Sequence, residues 1–170
     1  GPGVSIVTPD GPTATGAILL IHGGGYVLGQ RADALTTAVL LARELGATVI
    51  CNSYRRAPDH PFPAGLDDCH AAWHWLQDNA EGLGVAPAKI VVGGISAGGG
   101  LAASLVQRLH DEGGTQPAAQ LLVYPMLDDR TAADNGLDDP RHRVWSNKSN
   151  RFGWGSYLGQ APGGATTPAH

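Results

Sequence analysis

Gly94-Ile95-Ser96-Ala97-Gly98 fits the pattern G-x-S-x-G. A serine in that setting sits on a turn so tight that its neighbours must be small, which explains glycine at both ±2 positions. The turn exposes the hydroxyl, and a helix beginning just after it directs its amino-terminal dipole toward developing negative charge. The chemistry this points to is nucleophilic attack by Ser96. A second cluster, His22-Gly23-Gly24-Gly25, narrows the reaction class. Acyl transfer passes through a tetrahedral oxyanion stabilised by prepositioned backbone N–H donors, each worth on the order of 3 kcal/mol. The glycine run offers such amides with no side chains in the way, and the amide of Ala97 completes a three-donor hole.

Other uses of these glycines fail on spacing. A phosphate-binding P-loop needs a Gly-Lys-Ser/Thr ending, and the chain has none. A dinucleotide fingerprint needs glycines at i, i+2 and i+5. Counting from Gly23 puts Leu28 third, and counting from Gly93 puts Ile95 second.

The two clusters need strands to hold them. Ala17 to Ile21 is a continuous apolar run that stops at His22, as a strand buried on both faces reads. Lys89 to Gly93 is a strand running into the Ser96 turn, and Leu101, Leu105 and Leu109 then mark one face of a helix. Val4–Thr8, Thr48–Cys51 and Leu121–Tyr124 supply further strands. Helical spacing runs through 32–46, with Leu35, Val39, Leu40 and Leu45 near one face, and through Leu66, Cys69, Ala72, Trp73 and Leu76. After Tyr124 a polar stretch reaches Asn150, with a short helix expected around Trp154 to Leu158. Strands alternating with helices predict an α/β fold with a mostly parallel sheet and helices on both faces. Both glycine clusters fall at carboxyl ends of strands, where such sheets place reactive loops.

The bulk numbers agree with one soluble globular domain over residues 1–170. Of 170 residues, 42% are hydrophobic and 15% charged, and the formal net charge is −4. That balance, with Lys and Arg scattered singly, excludes a nucleic-acid footprint. No apolar run is long enough to span a bilayer and no signal-peptide pattern opens the chain, so a cytoplasmic location is expected. Cys51 and Cys69 fit no zinc spacing and read as buried thiols.

The runs HGGGYVLG, YRRAPDHPFPAGLDD, GGISAGG and LLVYPMLDDR, in that order, resemble the hormone-sensitive-lipase-like carboxylesterases, a bacterial branch of the α/β-hydrolase fold. The resemblance covers the chain from about Val4 to about Leu158. It implies that Ser96 is the nucleophile, that Gly24, Gly25 and Ala97 supply the oxyanion amides, and that His22 and Gly23 support the loop. Its substrate is then a small-molecule ester of short to medium acyl chain, and no cofactor or metal is implied. The family has Asp where Ile95 stands.

A serine nucleophile also needs a general base, normally a histidine oriented by a carboxylate. The family places these in segments resembling DPLRDE and HGF, and neither occurs here. The expectation is an incomplete domain, short of its carboxyl-terminal strands and its amino-terminal lid, with residues 127–170 beginning a cap. Alone it is expected to be inactive, its sheet completed by a second chain or a swapped copy. Asp128, Asp129, His142 and His170 are weak candidates for the acid and base. His70 and His74 stand at i, i+4 on one helix, but with no third ligand in view they read as a solvated face and not a metal site. His60 and Arg55 in the Pro-rich loop read as structural, and Trp73, Trp75 and Trp154 as core or lid packing. Two rivals remain: a binding module without an activated serine, and a hydrolase acting on an amide, lactone or carbamate.

Overall fold

The structure, a computed structural model, describes residues 3–11 and 14–164. Five strands form one sheet: β1 (Val4–Val7), β2 (Ala17–Ile21), β3 (Thr48–Asn52), β4 (Ile90–Ile95) and β5 (Ala119–Val123). Their order is β1-β3-β2-β4-β5, with β1 antiparallel to β3 and every other pair parallel. Parallel neighbours need crossovers, and helices supply them: α1 (Leu35–Leu45), α2 (Ala64–Asn79) and α3 (Ala97–Glu112). Two further helices follow β5, the one-turn α4 (Arg130–Ala133) and α5 (Asn147–Leu158).

Side-chain alternation divides β2 between two cores. Leu19 and Ile21 face α2 and α3, packing with Leu66, Trp73, Leu76, Leu101 and Leu105. Ile18 and Leu20 face α1 with Val49 and Cys51. Each fully buried leucine or isoleucine here contributes about 1.5–3 kcal/mol, so the central strands hold the sheet in one register. Burial pushes the thiol of Cys51 up to about 11 and that of Cys69 up to about 12, which keeps both protonated and inert.

The structure corrects two local expectations. In α1 the large apolar residues Val39, Leu40 and Leu45 point outward, and Ala38 and Ala42, in line with Ala34 just before the helix, make the buried stripe. Alanines at i, i+4 let the helix axis lie close to the sheet, where leucines would hold it off. Beyond β5, α5 begins at Asn147, well before Trp154, because Ser146 caps it by accepting from the Ser149 amide at 3.2 Å. His170 lies outside the described residues.

Candidate active site

Register alone brings the two glycine clusters together. Ile21 of β2 pairs with Gly94 of β4, so the chain leaving β2 at His22 runs beside Ile95 and Ser96. A Cβ on Gly23 would lie 3.0 Å from the Ile95 carbonyl oxygen and 3.4 Å from the Ser96 Cβ. The loop after β2 therefore sits directly against the serine.

Ser96 joins β4 to α3 with φ 56° and ψ −120°. Positive φ at a non-glycine residue carries a cost of about 1–3 kcal/mol and persists only where the surroundings over-determine it. Here the Ser96 amide donates to Val123 at 2.9 Å, and its carbonyl accepts from Gly100 at 3.1 Å and Met126 at 3.0 Å. The flanking glycines are a packing necessity. A Cβ on Gly94 would run into the Gly98 carbonyl, and one on Gly98 into the carbonyls of Ile21 and His22. Ala97 is buried at the first position of α3, where the amide has no intrahelical partner.

The oxyanion-loop candidates are held from below. His22 is buried and stacks on Tyr54 at 4.3 Å, and the Tyr54 hydroxyl donates to the His22 carbonyl at 3.1 Å. His22 Nδ1 lies 2.7 Å from the Gly23 carbonyl oxygen, which can only accept, so Nδ1 carries the proton. Desolvation lowers the His22 pKa, against the opposing pull of the Gly23 bond, so the ring is neutral. The Gly24 carbonyl accepts from the amides of Val27 at 3.1 Å and Leu28 at 2.8 Å. In a trans peptide the C=O and the next N–H point in opposite directions. The amides of Gly24 and Gly25 are accordingly turned away from the carbonyls that His22, Val27 and Leu28 engage. Gly24 has φ 125° and Gly25 φ 58°, conformations in which glycine is at home.

The Pro-rich loop is tied into the fold at several points. Arg55 makes a bidentate pair with the buried carboxylate of Asp68, while Arg56 donates to Gly29 at 2.6 Å and the Ala57 amide to Tyr26 at 3.0 Å. Two bonds from this loop thus hold the stretch just after the glycine run. Trp73 is core, and Trp154 packs on Tyr26 with ring centroids 5.1 Å apart.

Ser96 opens onto a groove of about 580 Å³ between β5 and α5, lined among others by Met126, Leu127, His142, Trp145 and Trp154. Trp145 carries no motif or spacing that would single it out in the sequence. Its indole lies against Gly25, where a Cβ would collide with it, and its Nε1 donates to Asn150 at 3.2 Å. His142 lines the same groove as Ser96, yet among the described residues no hydrogen bond joins a histidine to the serine. Asp128 is bound by Arg130 at 2.7 Å, and Asp129 accepts from the Gly163 amide at 2.6 Å.

Residues 18–169 match the family described as alpha/beta hydrolase fold. The chain belongs to that family. Relatives named as ester hydrolases or esterases are in keeping with the hormone-sensitive-lipase-like branch that the linked motifs imply. The ethyl acetate hydrolase of Pseudomonas putida is 40% identical over 121 residues, 70% of this chain and 38% of that protein. Carboxylic ester hydrolase LipN of Mycobacterium tuberculosis is 38% identical over 125 residues, 71% of this chain and 33% of that protein. Among solved structures, a bacterial heroin esterase superposes with a TM-score of 0.87 at 40% identity, covering 98% of this chain and 53% of that one. A hyperthermophilic esterase from Pyrobaculum calidifontis gives 0.83 at 30% identity, covering 93% and 51%. The chain thus spans about a third of the curated relatives' length and about half of the solved chains. No helix among the described residues is long and apolar enough to cross a membrane.

Proposed function

We propose that this chain carries the nucleophile and oxyanion half of a serine carboxylesterase site acting on short to medium acyl esters. The observation that carries the reading is Ser96 at φ 56° on the β4–α3 turn, with the glycine loop after β2 packed against it. In this reading the Ser96 Oγ attacks the ester carbonyl carbon, its proton passes to a general base, and the tetrahedral oxyanion accepts hydrogen bonds from Gly24, Gly25 and Ala97. The alcohol then leaves with a proton, and water releases the acid from the acyl-enzyme. His22 and Gly23 hold the loop, and His22, neutral and engaged with Gly23, is a positioning residue. The groove, within the range of small-ligand sites, takes the acyl or alcohol portion between Met126 and Trp154, and residues 127–170 begin its cap.

In the first reading, the base and its carboxylate come from polypeptide beyond the described residues, on this chain or another. That segment also pairs with β5. Leu121 of this edge strand is exposed, and an apolar edge invites a further strand. One observation favours a second source for the base: His142 shares the groove with Ser96.

The test is hydrolysis of p-nitrophenyl acetate or butyrate by polypeptide that includes the continuation of this sequence. Ser96→Ala is expected to abolish turnover, a loss of order 10⁶ in kcat. Wild-type turnover in the alanine variant would sink the assignment. Labelling of Ser96 by an alkyl phosphonate separates an esterase from a binding module, since an unactivated serine stays unlabelled. Loss of labelling in His142→Ala would make His142 the base.

A further inference from the structure

His70 and His74 sit one turn apart on the outer face of α2, and the fold brings them a third group that their local sequence does not show. Glu112, the last residue of α3 and 42 positions after His70, places its Oε2 2.7 Å from His70 Nε2. His74 Nε2 lies 3.1 Å from the same His70 nitrogen, with the two rings edge to face at 73°. The three ligand atoms all fall within 4.8 Å of one another.

Hydrogen bonding uses this convergence only in part. An imidazole nitrogen has one in-plane position, which holds either a proton or a lone pair. With a proton, His70 Nε2 has a single N–H to share between Glu112 Oε2 and His74 Nε2. With a lone pair, it accepts from His74 and faces the Glu112 carboxylate lone pair to lone pair. A cation would take one lone pair from each of the three groups at once.

We propose that His70, His74 and Glu112 form a binding site for a divalent first-row transition ion, zinc in the first instance, that clamps the end of α3 to α2. Two imidazoles and a carboxylate are a donor set zinc accepts, with water completing the tetrahedron. The carboxylate is oriented from behind, as metal-binding carboxylates are: Arg108 Nε donates to Glu112 Oε1 at 2.9 Å, and Arg108 Nη1 to Asp67 Oδ1 of α2 at 2.7 Å. That leaves Oε2 facing the histidines. The ion would sit at the far end of α3 from Ser96, roughly 24 Å along a sixteen-residue helix. Its role is to fix the helix whose first residue is Ala97, not to touch an ester.

The experiment uses tag-free protein stripped with EDTA and titrated with zinc chloride by calorimetry and thermal unfolding. Uptake of one equivalent is expected, with the unfolding midpoint rising on the order of 5–10 °C when zinc stands roughly a hundredfold above its Kd. Cobalt at the same site should show the visible absorption of a four-coordinate ion. His74→Ala and Glu112→Gln, both at exposed positions, should each weaken zinc binding at least about tenfold, while His110→Ala should not. No uptake by wild type, an equal midpoint shift in His74→Ala, or loss of uptake in His110→Ala instead would each overturn the proposal.

Discussion

The two regions that meet at Ser96, as two walls of the site, are built on opposite principles. On one side, the turns after β2 and β4 are fixed by backbone against backbone: Gly98 against Ile21 and His22, Gly23 against Ile95, Gly24 against Leu28. On the other, the segment from Tyr124 to Phe152 leaves large apolar side chains in solvent, with Val144 98% and Tyr124 73% exposed. The first wall is specified by contacts that leave no room for a side chain. The second presents surface that other groups can cover. Pre-organisation for an oxyanion requires the first kind, because donors that must reorganise during the reaction lose their advantage. Accommodating different acyl groups suits the second.

The largest effect should come from breaking the rigid wall. In Gly98→Val the new Cβ meets two main-chain carbonyls on β2 and its loop, which cannot swing aside. A destabilisation above about 3 kcal/mol is expected, large against a typical total of about 5–15 kcal/mol. Urea unfolding and soluble yield measure it. Gly82→Ala is the control: open space surrounds that position, and a change within about 0.5 kcal/mol is expected. Equal stability in both variants would mean that the β2 loop does not pack on the serine turn.

The looser wall should respond differently. Trp145 touches Gly25 and Gly153, and its indole is partly exposed. Trp145→Ala should therefore shift unfolding by less than about 1 kcal/mol yet lower kcat/KM toward p-nitrophenyl butyrate about tenfold, since small misplacements near the reacting atoms cost far more in rate than in stability. A fall in kcat would mean the indole steadies the Gly25 amide. A rise in KM alone would make it a wall for the acyl chain. Unchanged kinetics would remove it from the site.

The same contrast governs what was legible in the sequence. Strands β2 and β4 announce themselves because burial on both faces leaves an unbroken apolar run, and glycines whose Cβ would strike backbone permit no substitute. The face of α1 was misread because packing against a sheet favours alanine, so hydrophobicity marked the outward side. The start of α5 was hidden by Asn147, Lys148, Ser149 and Asn150, a polar first turn whose only signal is the Ser146 cap. Trp145 and Glu112 acquire meaning only through tertiary contacts. Glu112 is brought to His70 by the packing of α2 on α3, and no local spacing encodes that meeting.

The smallest expected effect tests the rigid wall by proton linkage. His22 is buried against Tyr54, and desolvation lowers its pKa from the ordinary 6.5; the Gly23 bond and Asp33 oppose that shift, and Arg56 assists it. The unfolded chain takes up a proton near 6.5, and the folded protein does so only at lower pH. Below 6.5 the unfolded state therefore binds more protons, so stability falls as pH drops from 6.5 toward the folded value and is unaffected above it. Because a pKa difference of one unit is worth about 1.4 kcal/mol, the slope cannot exceed about 1.4 kcal/mol per pH unit. Urea midpoints for wild type and His22→Gln at about pH 7.5 and about pH 5.5 isolate this contribution from the other histidines. Loss of the stacked ring offsets the variant equally at both pH values, so the informative quantity is the difference in slope. A shallower slope in His22→Gln is expected. Parallel slopes would mean that His22 titrates alike in both states, and that the loop after β2 is wetter and less fixed than its packing indicates.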